Sequence, residues 1–159
     1  MALTKILNFV QLTPNVGTAG QPSSEQFGDI AAAGYAAVVN LAMHDSDNAV
    51  PNEGNIVACL GMTYVHLPVD FAAPTSAHAR KFFGVMAVLD GDKVFVHCAM
   101  NLRVSAFMYL YLKHIKGFDE AAAQSPMIAK WKPRMDQVWQ DFLALSEQEI
   151  MSAQEIKNG

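Results

Sequence analysis

Three short apolar runs, "YAAVVNLA", "MTYVHLPV" and "KVFVHC", are separated by longer segments with helical periodicity. That alternation restricts the fold more than any other feature of the chain. A nearly continuous apolar run suits a strand covered on both faces, and strands that alternate with helices form a parallel sheet flanked by helices. Boundary signals agree. Ser23 and Gln26 have the spacing of a capping box, an Ala-rich helix follows, and Gly34 stands where a left-handed stop belongs. Residues 52–60 read as a short helix ending before Gly61. Phe82, Val85, Met86 and Leu89 line one face of a helix closed by Gly91. "LRVSAFMYLYLKHIKG" is a helix closed by Gly117, and "FDEAAAQSPMI" is one broken near Pro126. Met135, Val138, Trp139, Phe142 and Leu145 mark a last amphipathic stripe. The expected architecture is a three-layer α/β fold with a central, mainly parallel sheet. No repeat or linker interrupts it, so residues 1–159 read as a single domain with a polar tail from about Ser146 that frays.

Composition narrows the function classes. A hydrophobic fraction of 52% with 16% charged residues describes a packed domain. The net charge of −4 gives no general basic field, so neither nucleic acid nor an anionic membrane is an expected partner. No secretory signal and no membrane span is read from the sequence. Two cysteines, Cys59 and Cys98, are too few for a disulfide framework, and neither has metal-ligand spacing around it. A reduced, cytoplasmic setting without metal or other cofactor is expected.

The chemistry concentrates in "VFVHCAMNLRVSAF". Cys98 ends a strand and Arg103 opens the next helix. The turn between them presents backbone N–H groups that lack intrahelical partners, and these favour a bound anion. The same field favours the thiolate, the nucleophilic form of a cysteine. Arg103 has the planar fork that grips two oxygens of a tetrahedral oxyanion. Asn101 sits mid-turn, where its tolerance of left-handed dihedrals replaces a glycine, and Ser105 is in position to donate a hydroxyl to the thiolate. Ligands of open α/β sheets bind beyond the carboxyl ends of strands. Both Cys98 and Asp70, just past "YVHLPV", lie at such ends.

His97, Cys98, Arg103 and Ser105 in "VHCAMNLRVSAF" resemble the signature of the Cys-dependent phosphatases of the protein tyrosine and dual-specificity type. "TAGQPSSEQF", "YAAVVNLA" and "GMTYVHLPVDFAAPT" are similar to the small bacterial phosphatase-like domains also found beside or fused to beta-lactamase-like hydrolases. The resemblance covers roughly residues 14 to 115. It implies that Cys98 attacks phosphorus to give a phosphocysteine, and that Arg103 with the loop Ala99, Met100, Asn101, Leu102, Val104 and Ser105 holds the phosphate oxygens. His97 shapes the loop, and Asp70 serves as general acid and then base. Implied ligands are a phosphorylated protein or small-molecule phosphomonoester, and phosphate- or sulfate-like anions in general.

The four residues between Cys98 and Arg103 make this loop one shorter than the family's, and the family's loop glycine is absent. One helical residue of displacement rotates a side chain by about 100°. Two alternatives therefore stand beside the phosphatase: a rhodanese-like sulfurtransferase using a Cys98 persulfide, and a phosphate-recognition module without turnover. Asp45 and Asp47 in "HDSD" compete with Asp70 for the acid role. Gly20 and Gln21 are candidate pocket-wall residues, His44 and His66 candidate rim residues, and His78 and His114 surface residues. Cys59 reads as a buried helix residue, a disulfide with Cys98 being the alternative. Trp131 and Trp139 read as core, and "KWKPR" as a small basic, solvated face.

Overall fold

The computed structural model describes residues 2–154. Its sheet has five strands: β1 (Val10–Thr13), β2 (Val16–Ala19), β3 (Ala37–Asn40), β4 (Thr63–His66) and β5 (Val94–His97), in the spatial order β1-β2-β5-β3-β4. Only β1 runs antiparallel to its neighbour; β2, β5, β3 and β4 are mutually parallel. Parallel neighbours need crossover connections. These are α1 (Gln26–Ala32) between β2 and β3, α2 (Glu53–Cys59) between β3 and β4, and α3 (Ser76–Val88) between β4 and β5. After β5 come α4 (Leu102–His114), α5 (Glu120–Ala123), α6 (Pro126–Trp131), α7 (Gln137–Leu143) and α8 (Glu147–Met151). This is the three-layer α/β arrangement that the strand–helix alternation predicts.

Side chains alternate across the central strands, so the sheet has two apolar faces. Val38 and Phe95 pack with Phe27 and Ile30 of α1 and Val57 of α2. Val39, Val94 and Val96 face the larger core, built with Phe82 of α3, Phe107 and Met108 of α4, and Trp139 and Phe142 of α7. Each such side chain removed from water contributes about 1.5–3 kcal/mol. Local signals act where expected. Ser23 and Gln26 exchange the two bonds of a capping box, Ser23 N–H to Gln26 Oε1 at 2.9 Å and Gln26 N–H to Ser23 Oγ at 3.3 Å. Gly34 takes φ of +89°, closing α1.

The structure departs from the sequence reading in four places. The hairpin β1–β2, turned at Pro14 and Asn15, adds two strands to the three apolar runs, and its sequence signal is the turn-forming pair between "VQLT" and "VGTA". "MTYVHLPV" is not a buried strand: β4 lies at the sheet edge with Thr63 and His66 exposed, its apolar residues continuing into Val69, which is buried. Val138 leaves the amphipathic stripe and is 44% exposed, while Trp139 and Phe142 are buried. The segment after Ser146 does not fray at once. Ser146 and Glu149 form a capping box for α8, which packs on α3 and buries Ile150 completely.

Replacing Ile150 with Ala therefore lowers unfolding free energy by about 2–4 kcal/mol, measured by denaturant titration. An unchanged midpoint would mean that α8 adds nothing to the core.

Candidate active site

Past the carboxyl ends of β5, β3 and β4 the chain stays paired for a few more residues. Leu41 N–H donates to His97 O (2.9 Å), Leu67 N–H to Asn40 O (2.9 Å) and Val69 N–H to Leu41 O (3.0 Å). This extension of the sheet carries Asp70 to the same rim as Cys98. Alternation then separates two adjacent residues. Cys98, 1% exposed, falls on the side of the larger core. His97 points to the opposite face, where its ring lies 6.1 Å from that of Phe27.

The loop after Cys98 turns its carbonyls outward. Cys98 O meets His97 Nδ1 (3.1 Å); Ala99 O accepts from Gln21 N–H (3.0 Å) and Asn48 Nδ2 (3.1 Å). Met100 O accepts from Asn8 Nδ2 (3.0 Å), and Asn101 O from Ser105 Oγ (2.6 Å). C=O and N–H point opposite ways in a trans peptide, so the amides of Ala99, Met100 and Leu102 turn away from these donors. Leu102, Arg103 and Val104 form the first turn of α4, where N–H groups have no intrahelical acceptor. Asn101 makes the turn possible with φ of 67°, in the left-handed region. It is held there by Nδ2 bonds to Asn8 O (2.8 Å) and Thr18 Oγ1 (3.2 Å). Gly20 lies against the loop so closely that a Cβ would come 2.7 Å from Ala99 O.

Arg103 is 6% exposed. Its Nη1 donates to Val69 O at 2.8 Å, and its guanidinium carbon lies 5.7 Å from the centre of the Phe71 ring. Among the described residues the other guanidinium N–H groups have no protein acceptor. Asp70 is exposed and adjoins that anchored carbonyl; its Oδ1 accepts from Ala72 N–H at 2.9 Å. Cys98, the loop and the first turn of α4 follow one another at this rim, and Asp70 lies on the segment that Arg103 tethers through Val69 O.

Behind the loop lies a buried network that the sequence does not reveal. His97 Nε2 meets Glu53 Oε2 at 2.6 Å, and Gln21 Nε2 donates to Glu53 Oε1 at 2.7 Å. Burial opposes the Glu53 carboxylate, yet the His97 bond and charge, with the Gln21 and Tyr64 bonds, outweigh it and hold Glu53 below the ordinary carboxylate range. Burial, with the neighbouring Glu53 charge, pushes Tyr64 up to about 12. Glu53 reads locally as one more acidic residue in a helix's first turn; only the fold aims it at His97. Gln21 and Glu53 also line a cleft of about 260 Å³ with Asn40, His44, Tyr64 and His66. Asp45 and Asp47 lie exposed in the loop whose Asn48 reaches Ala99.

Two expectations are corrected. The Ser105 hydroxyl is engaged by Asn101 O one turn back, not by the thiol, because a helical serine reaches the preceding turn's carbonyl most easily. Cys59 is exposed, not buried, and both cysteines are free. His78 and His114 are half-buried, His78 bonding Thr75 and His114 bonding Leu145 O. Trp131 and Trp139 are core residues. Among the described residues, no three His, Cys, Asp or Glu side chains cluster as metal ligands, and no helix is long and apolar enough to cross a membrane.

A family described as "DSP-PTPase phosphatase fused to NAD+ Kinase" matches residues 13–158. The chain belongs to this dual-specificity/tyrosine-type phosphatase family. It is 34% identical to a candidate phosphatase of the DUF442 group from Shewanella putrefaciens CN-32, covering 90% of this chain and 93% of that one with a TM-score of 0.81. The fold recurs at 14% identity in the PP-IP phosphatase SIW14 from S. cerevisiae, whose catalytic domain was solved with citrate (TM-score 0.72, 91% and 89% covered). It recurs again in a cysteine-to-serine form of TpbA from P. aeruginosa in complex with pTyr (14% identity, TM-score 0.62, 92% and 85% covered). No curated protein matches the chain. The phosphatase family and fold expected from the Cys98–Arg103 segment are thus borne out.

Because the Glu53 carboxyl holds its proton less tightly folded than unfolded, the network stabilises the protein above the ordinary carboxylate range. That contribution is lost as pH falls through the folded value. Wild-type Tm, compared with that of Glu53→Gln, is expected to lead at pH 7 and to converge with it in acid below the ordinary range. A constant difference at all pH values would contradict the linkage.

Proposed function

We propose that the protein is a phosphomonoesterase in which Cys98 is the nucleophile, with no metal required. The observation that supports this most directly is the anion cradle: outward-turned loop carbonyls beside a buried guanidinium with N–H groups left for a ligand. In the first step Cys98 Sγ bonds to phosphorus as the ester P–O bond breaks, and Asp70 gives its proton to the departing oxygen. In the second, Asp70 takes a proton from water as that water attacks phosphorus, and the P–S bond breaks to release phosphate and the thiolate. Arg103 and the amides of residues 99–104 hold the oxygens whose charge builds in both transition states. His97 and Glu53 hold the loop from behind.

Substrates on this reading are phosphorylated proteins or small-molecule phosphomonoesters. The pTyr bound by TpbA and the named activity of SIW14 favour anionic phosphoryl compounds as a class. Two free thiols suit the cytoplasm, the location we assign.

The test is hydrolysis of an aryl phosphate in the presence of EDTA at mildly acidic and neutral pH. Wild type is expected to release phosphate, Cys98→Ser to release none, and Asp70→Asn to be slowed by about 10²–10⁴-fold for a poor leaving group. Activity surviving in Cys98→Ser would overturn the nucleophile. Vanadate binding without turnover by wild type would favour a recognition module, and sulfur transfer from thiosulfate to cyanide the sulfurtransferase.

A further inference from the structure

Asp70 sits on a segment with little packing of its own: residues 70 to 73 are all exposed. Such a stretch has low local stability unless its backbone is tied down. The carbonyls of both residues beside Asp70 are tied, and Asp70 O itself accepts from Ala73 N–H at 3.0 Å. On one side Val69 O accepts from Arg103. On the other, Phe71 O accepts from Trp139 Nε1 at 2.8 Å, a bond spanning 68 positions of sequence. The Phe71 ring adds a second contact, its centre 5.3 Å from that of Trp139 and 5.8 Å from that of Trp131. Trp139 is itself held on several sides. It is completely buried, Asp136 Oδ1 caps its backbone N–H at 3.0 Å, and its ring packs on Trp131 and Phe142, each 5.2 Å away.

We propose that Trp139 is a positioning residue for the general acid, fixing Asp70 through the Phe71 carbonyl and ring; this rests on the reading of Asp70 as that acid. A phenylalanine would fill most of the same volume and keep the ring stack. What only the indole supplies here is the N–H aimed at Phe71 O. General acid catalysis needs the donor within hydrogen-bond reach of the leaving oxygen, and an error of about 1 Å costs on the order of 10²-fold in rate. The C-terminal helices thereby act on the chemistry without contributing a group that touches substrate.

The experiment compares phenyl phosphate, whose poor leaving group depends on protonation, with 4-nitrophenyl phosphate, whose leaving group depends on it little. Trp139→Phe is expected to lower kcat/KM, which reports the step that expels the leaving group, about 10- to 100-fold for phenyl phosphate, to lower it no more than about threefold for 4-nitrophenyl phosphate, and to leave vanadate affinity unchanged. The same selectivity, in larger measure, is expected of Asp70→Asn. Equal losses on both substrates, or weakened vanadate binding, would reduce Trp139 to a packing residue and overturn the inference. If Asp70→Asn shows the selectivity and a folded Trp139→Phe does not, the positioning role alone falls. If Asp70→Asn lacks it, the acid assignment falls and takes this inference with it. Should Trp139→Phe fail to fold by circular dichroism, Trp139→3-benzothienylalanine decides. It keeps the two-ring shape and the stack and lacks only the N–H aimed at Phe71 O. Selective loss with phenyl phosphate supports the inference, and wild-type behaviour or equal losses overturn it.

Discussion

The site depends on one buried cation that has a single protein acceptor among the described residues. Burying a guanidinium costs several kcal/mol unless its charge is answered. Arg103 gives Nη1 to the Val69 carbonyl and lays its plane near the Phe71 ring, a partial answer only. The remaining donors, in a residue 6% exposed, are the groups that the proposed phosphate would engage. The Val69 bond also joins the first turn of α4 to the segment after β4. The proposed phosphate-holding group thus also sets the position of the segment that carries Asp70.

A loop of four residues between Cys98 and Arg103 must reach this arrangement without glycine. Asn101 supplies the left-handed residue, and its side chain is drawn to Asn8 O and Thr18 Oγ1, on the hairpin side of the sheet. Asn8, itself at φ of 52°, returns a bond to Met100 O. Asn101 holds the backbone of Asn8 across 93 positions, and Asn8 that of Met100 across 92. From the opposite face His97 takes Cys98 O with one nitrogen and Glu53 with the other. Each loop carbonyl from Cys98 to Asn101 thus has a donor from a separate part of the chain or from the loop's flank, and rotating one peptide would break such a bond. The shortened loop keeps its shape by external support.

That division explains what the sequence could disclose. Signals that act within a few residues were legible: the Ser23–Gln26 capping box, the stop at Gly34, the strand ending in Cys98 and the Arg103 that opens a helix. Features decided by distant parts were not. Nothing near Glu53 marks it as the partner of His97, and nothing near Asn8 marks its bonds to the loop. β4 reads as covered because Val65 and Leu67 are apolar, yet strand order puts it at the edge. Cys59 reads as core from its apolar neighbours, but the helix turns it outward. Ser105 reads as a donor to the thiolate from its place one turn into the helix; a nearer acceptor, one turn back, takes the hydroxyl.

The floor of such a site and its surround answer to different constraints. Holding a phosphoryl group asks for amides and a guanidinium in one arrangement, and a strand–loop–helix unit supplies that arrangement from its backbone. Such a floor would grip any phosphoryl group alike, so the side chains around it would select the rest of the substrate. In this chain the exposed apolar groups beside that floor are Phe71, next to Arg103, and Met100, at the tip of the loop, 39% and 48% exposed. The backbone of both is tied: Phe71 O accepts from Trp139 Nε1 and Met100 O from Asn8 Nδ2, contacts that also shape the loop and the segment after β4. On the proposed function, recognition and catalysis would therefore share their supports, and a change at Trp139 or Asn8 would reach both.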